Sequence, residues 1–127
     1  MVNHELVKKV KDVALAHGAD MVGIVKVADL PEHEERISRI LPYSISVIVI
    51  AARHSLASIC SANNQMAQFD TIHTYNECAR SAHTVSRFIE SSGFPSIAMP
   101  AFIPIDMQDP GKGLGSSLRT NKVCARL

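Results

Sequence analysis

The stretch Ser44–Ala52 (Ser-Ile-Ser-Val-Ile-Val-Ile-Ala-Ala) constrains this chain more than any other. It alternates polar and apolar only at its start, then becomes apolar at every position. A strand without a polar face needs cover on both sides and a neighbour along each edge. The run therefore predicts a central strand with helices above and below it. The segment before it can supply part of that cover. Asn3 is placed to cap a helix over His4–His17, in which Leu6, Val7, Val10, Val13 and Ala14 share one face and Lys8, Lys9, Lys11 and Asp12 lie largely opposite. Gly18 follows where a left-handed residue ends a helix. Met21–Val27 reads as a second buried strand, ended by Leu30-Pro31. Pro31 opens a short helix to about Ile40, with Glu32, Glu34 and Glu35 near its positive end, and Pro42 stops it.

Beyond Ala52 the stretch Arg53–Gln68 is polar and weakly patterned, which predicts a loop with a helical turn around Leu56–Cys60. A long helix is expected from about Asp70 to Ser92, its buried stripe made by Ile72, Tyr75, Ala79, Ala82, Val85, Phe88 and Ile89, with Gly93 at its end. Pro95–Pro100 reads as a short strand, Ala101–Ser117 as a loop, and Leu118–Leu127 as the opening of another helix. Helices alternating with three apolar strands predict an α/β fold: a small, mostly parallel sheet layered with helices through right-handed crossovers, in one domain over residues 1–127. Three strands are few for such a sheet, and the last helix stops without a C-terminal signal. An incomplete domain is therefore expected, the N-terminal part of a larger parent. The apolar surface or free edge that so small a sheet exposes favours self-association.

The totals exclude several classes. A hydrophobic content of 46% and a charged content of 20% are ordinary for a soluble globular protein. With a net charge of +1 and 5% aromatic residues there is no basic stripe for nucleic acid. No apolar run reaches the roughly 18 residues of a membrane helix, and Met1–Lys11 begins an amphipathic helix rather than a signal peptide. A cytoplasmic location is the expectation. Cys60, Cys78 and Cys124 are scattered, with no C-x-x-C, so they cannot build an iron–sulfur cluster or a zinc ribbon and read as free thiols in a reducing compartment.

Few motifs carry chemistry. Arg53-His54 directly follows the central strand, and ligands of open α/β sheets gather at the carboxyl ends of strands. His54 can contact a phosphate or act as an acid or base near neutral pH. Gly111-Lys112-Gly113-Leu114-Gly115 precedes an expected helix start, where anions are attracted. Its order fits neither a Walker A loop nor a dinucleotide fingerprint, and a flexible connection is the plainer reading. Arg53, His54, Gly111, Lys112, Gly113 and Gly115 are the candidate contacts for a corrinoid or small anion. His73 and Glu77 stand at i, i+4 on the long helix, but two ligands are too few for a metal site, and His83 is about 15 Å along the axis from His73. No metal site and no catalytic residue is assigned.

The order of these features resembles the N-terminal region of the epoxyqueuosine reductase and reductive dehalogenase group of corrinoid iron–sulfur proteins. The likeness is carried by His17-Gly-Ala-Asp-Met-Val-Gly-Ile24, by Leu41-Pro-Tyr-Ser-Ile-Ser-Val-Ile-Val-Ile50, and by Ala79 through Ser92-Gly93-Phe94 before Pro100. Ser117–Leu127 is similar to the run-in to that group's Ala-Gly-Leu-Gly segment. The resemblance implies a parent oxidoreductase with cobalamin and two [4Fe-4S] clusters, of which this chain is a portion lacking the cluster module and performing no complete reaction alone. The proton donor of the queuosine branch lies in an Arg-Asp-Tyr-His run, whereas this chain has Tyr75-Asn76-Glu77-Cys78, so that role does not carry over. The alternative is a stand-alone module that binds a small ligand or a protein without catalysis.

The cysteine spacing generates a direct expectation. The purified chain carries no stoichiometric iron; metal analysis finding about four irons per chain, with broad visible absorption, refutes it.

Overall fold

The structure is a computed structural model that describes residues 4–99 and, through its backbone, the strand at 121–125. In chain order the elements are helix α1 (His4–Ala16), strand β1 (Met21–Lys26), a 3-10 turn (Val27–Asp29), helix α2 (Glu34–Ile40), strand β2 (Ser46–Ala51), the short helix α3 (Leu56–Ile59), the long helix α4 (Asn64–Ser91), strand β3 (Ser96–Met99) and strand β4 (Asn121–Ala125). The four strands form one sheet in the order β1-β2-β4-β3.

Every neighbouring pair in that sheet is antiparallel, which corrects the mostly parallel sheet expected from sequence. The reason is an inserted strand. β2 and β3 do point the same way and are joined by α4, as a β–α–β alternation implies, but β4 lies between them and runs against both. Residues 121–125, expected to open a helix, form this strand instead, pairing Ile48 with Val123 and Ala98 with Val123. Within Leu118–Leu127 the short β-compatible stretch Asn-Lys-Val-Cys-Ala takes its structure from the two strands it pairs with, a tertiary override of a weak local pattern. The long helix also starts earlier than expected, at Asn64 rather than near Asp70. Asn63 caps it, its side chain accepting from the Gln65 N–H at 3.0 Å.

β2 is central and covered on both faces, as its composition requires. Ile48 and Ile50, both fully buried, face α1 and α4 and pack among Leu6, Val10, Ala14, Ala82, Val85 and Ile89. Val47 faces the other way, into a smaller cluster with Val27, Ile37 and Leu41, to which Val49 adds at its margin. The helical layer is tied to the sheet by buried hydroxyls. Ser96 Oγ donates to the Ser86 carbonyl at 2.8 Å, which leaves the Ser86 hydroxyl to donate to Ser96 Oγ, also at 2.8 Å. Ser81 Oγ donates to the Ala14 carbonyl at 3.1 Å and joins α4 to the last turn of α1.

The two long helices stop in the same way. After α1, Gly18 takes a φ of +107° and the Ala19 N–H reaches back to the Ala14 carbonyl. After α4, Gly93 takes +97° and the Phe94 N–H reaches back to the Ile89 carbonyl. These are Schellman stops, in which glycine supplies the left-handed residue without a Cβ penalty.

The packing sets a stability contrast between two neighbouring isoleucines. Ile50→Ala in the doubly covered strand should cost about 2–5 kcal/mol, whereas Ile45→Ala, at a half-exposed site just before β2, should cost under about 1 kcal/mol. Urea unfolding of both variants checks this, and comparable losses would show that the core is not centred on β2.

Candidate functional site

Two carboxylates hold the chain as it leaves β2. The Asp20 N–H donates to the Ala51 carbonyl at 2.9 Å, and the Asp20 side chain accepts from the Arg53 N–H at 2.6 Å. Two residues on, the Ser55 N–H donates to both oxygens of Asp70 at 3.2 Å. In extended backbone, alternate N–H groups point to one side, so these two acids replace the strand partner that Arg53 and Ser55 lack. Between those anchors sits His54, whose Nδ1 lies 3.0 Å from Asp70 Oδ2. The carboxylate can only accept, so the Nδ1 position carries the proton, and neutral His54 keeps Nε2 as an acceptor. Thr74 Oγ1 completes the surroundings of Asp70 at 3.5 Å.

Burial on its own would raise the Asp70 pKa, but the hydrogen bond from His54, the Ser55 N–H, the His54 charge and Thr74 together outweigh it and hold the carboxyl below its ordinary value. Asp70 is thus a fixed anion at neutral pH.

His54 also lines a cleft of about 290 Å³ between the end of β2 and α4. Ala51 and Ala52 come from the strand, and Thr71, Thr74, Tyr75 and Cys78 from the helix. Cys78 is buried, and burial pushes its thiol up, with Asp20 and Glu77 adding to the rise against an opposing Ala52 backbone hydrogen bond. It is a neutral thiol rather than a thiolate nucleophile. The cleft therefore offers an apolar floor, hydroxyls, one imidazole and an aromatic ring, the mixture that small-molecule sites use.

Of the residues singled out from sequence, Arg53 and His54 stand together here, Arg53 exposed and His54 part-buried in the cleft wall. Gly111, Lys112, Gly113 and Gly115 lie outside the described residues. His73 and Glu77 do not converge: the His73 ring packs on Phe69 with centroids 4.3 Å apart, while Glu77 reaches the turn at Gly18. Among the described residues no group of three or more His, Cys, Asp or Glu side chains is placed to hold a metal, and no helix is long and apolar enough to cross a membrane. Sequence reasoning missed Asp20, Asp70 and Cys78. Asp70 was hidden by placing the helix start six residues late; a start at Asn64 would have put it in the second turn, beside the loop that carries His54.

The fold is a four-stranded antiparallel sheet with helices on both faces. No family model and no curated protein matches the chain. Solved structures do. Over 98% of its length the chain is similar to a protein of Parabacteroides distasonis described as an NADH dehydrogenase/NAD(P)H nitroreductase, with a TM-score of 0.58, 15% identity and 74% of that protein covered. NfrA1 of B. megaterium matches with a TM-score of 0.59, 12% identity and 57% of its chain covered. Nitroreductase A of Vibrio parahaemolyticus matches with a TM-score of 0.52, 15% identity and 58% covered. The chain thus shares their fold and spans between 57% and 74% of their lengths. These likenesses overturn the resemblance to epoxyqueuosine reductases and reductive dehalogenases. They also remove the cobalamin and [4Fe-4S] groups it implied, and they give no support to a module without catalysis.

The Asp70 anchor generates a pH-dependent prediction. A carboxyl lowered on folding stabilises the fold fully above its ordinary value of 3.8 and loses that contribution as pH falls through the folded-state value. Asp70→Asn should therefore unfold at lower urea than the parent at neutral pH, and the gap should close well below pH 3.8. A gap that persists unchanged in acid would refute the charge-based anchor.

Proposed function

We propose that this chain forms part of an NAD(P)H-linked oxidoreductase of the nitroreductase kind, with a flavin as its redox group and the cleft beside His54 as part of the flavin site. The observation that carries the reading is the likeness in fold, over 98% of the chain, to a protein described as an NADH dehydrogenase/NAD(P)H nitroreductase. Moving electrons from a nicotinamide to a nitro group calls for a carrier, and a flavin, when bound, accepts a hydride and passes the electrons on.

The residues fit such a group in part. A cleft of about 290 Å³ suits a fused ring system rather than a whole flavin nucleotide. Ala51, Ala52 and Tyr75 would hold the flat apolar portion. His54, oriented by Asp70, would hydrogen-bond a polar ring edge and hold or release a proton at Nε2. Asp70 has its oxygens engaged by His54 and Ser55, so it serves to orient the imidazole rather than to contact the ligand itself. Exposed Arg53 is the cation suited to a phosphate, and Lys112, with Gly111, Gly113 and Gly115 beside it in sequence, is proposed as a second contact. The remaining contacts, the nicotinamide site and the electron acceptor belong to the whole assembly. A cytoplasmic setting and a single domain over 1–127 are parts of the same proposal, the former in keeping with the free thiols of Cys60 and Cys78.

The test follows flavin fluorescence while the chain is added to FMN. Quenching is expected, with Arg53→Ala and His54→Ala each binding roughly tenfold or more weakly, as loss of a charge-assisted hydrogen bond implies. Equal binding by the parent and both variants rejects the site, and no binding by the full chain rejects the flavin reading.

A further inference from the structure

The cleft beside His54 has a polarity that follows from where its protons already go. His54 Nδ1 donates to Asp70, so Nε2 of the neutral ring can only accept. Thr71 Oγ1 donates its one proton to the Ala67 carbonyl at 2.8 Å. Thr74 Oγ1 donates to Asp70 Oδ2 over a longer 3.5 Å, and the carboxylate, held ionised, can only accept from it. All three groups line the cleft. Each has committed its proton within the protein and offers a ligand its remaining lone pair.

Donors are scarce at the same place. Where β2 ends, the Ala52 N–H goes to the Cys78 sulfur, the Arg53 N–H to Asp20 and the Ser55 N–H to Asp70. Cys78 adds only the weak S–H of a buried thiol. The Arg53 side chain is exposed and stands outside the cleft wall. Among the described residues of that wall, Tyr75 holds the one strong donor that no hydrogen bond has used. Such a wall suits a ligand that brings N–H groups. Two acceptors set face to face where water is excluded are both left unsatisfied.

A flavin changes character in this respect when it is reduced. The oxidised ring system presents N1, N5 and two carbonyl oxygens as acceptors and a single N–H. A hydride taken up at N5 brings two electrons and turns that nitrogen from acceptor into donor. We propose, resting on the flavin reading above, that the cleft discriminates between the redox forms and holds the reduced one more tightly. Thr71 and Thr74 are the specificity-determining residues, with His54 Nε2 as the third acceptor. Asp70 acts behind them as a positioning residue, since it takes the protons of His54 and Thr74 and so fixes both as acceptors. Tighter hold on the reduced form raises the potential of the bound flavin, which favours electron uptake from a nicotinamide.

Anaerobic calorimetric titration of the full chain with FMN and with dithionite-reduced FMN compares the two affinities. Reduced FMN is expected to bind about tenfold more tightly, equivalent to a rise of about 30 mV in the two-electron potential. Thr71→Val and Thr74→Val, close in shape but lacking the hydroxyl, should each cut that preference roughly threefold or more, whereas Thr74→Ser should keep it. The preference is a ratio measured within each variant, so a general loss of affinity or of folded protein does not imitate it. Equal binding of the two forms by the parent overturns the proposal and leaves the flavin reading standing. A preference that both valine variants leave unchanged does the same. Binding of neither form overturns the flavin reading itself, and the discrimination with it.

Discussion

Burial of β2 on both faces sets the terms for everything around it. Ile48 and Ile50 need one layer and Val47 needs another, so α1 with α4 and α2 with the 3-10 turn are consequences of one strand's composition. The two layers are unequal. The α1–α4 side holds the fully buried residues Val10, Val85 and Ile89, while the α2 side is a small cluster near one end of the strand. Burying a β-branched side chain in full contributes about 1.5–3 kcal/mol, so most of the stabilisation comes from the α1–α4 side. The α2 side closes only the part of β2 near Val47, and the far end, toward Ala51, is where the cleft opens.

This asymmetry places the candidate site. A strand end that leaves its sheet must find partners for its N–H groups, and here Asp20 and Asp70 supply them from two different elements. The solution has a chemical by-product. An acid brought in to satisfy the Ser55 backbone also accepts from His54 and fixes its tautomer. Structural need and chemical capacity thus share one carboxylate, and a substitution at Asp70 changes both together.

How much of this was legible in the sequence depends on the range of the interactions involved. Gly18 and Gly93 were read as helix stops, because a left-handed residue is a local requirement that only a few residue types meet. The apolar run at Ser44–Ala52 marked the central strand for a similar reason. The direction of pairing was not legible. β4 comes from beyond β3 in sequence yet inserts beside β2, and nothing local to Asn121–Ala125 encodes that position. The site was legible only as far as Arg53 and His54, which follow a recognisable strand. Asp20 precedes β1 and Asp70 lies sixteen residues past His54, so their convergence exists only once the sheet and α4 are in place. The corrinoid resemblance failed for a related reason: it rested on glycine and hydrophobic spacing, features that report helix stops and strand burial and are silent about the cofactor.

Helix α4 joins these threads, because its two halves obey different rules. From Cys78 onward it is an ordinary amphipathic helix, whose buried residues Ala82, Val85 and Ile89 repeat at spacings of three and four and meet α1 and the sheet. Before Cys78 the pattern breaks: Met66, Phe69 and Ile72 face solvent, while Asp70 and Thr74 turn toward the exit of β2. One side of this half is therefore bound to the site and the other is left open. The helix is anchored by its C-terminal half, where Val85 and Ile89 are fully buried. The placement of Asp70 against His54 and the outward stripe at Phe69 then follow from packing that lies several turns away. A cavity at Val85 would loosen the whole helix and disturb the His54 geometry without touching it.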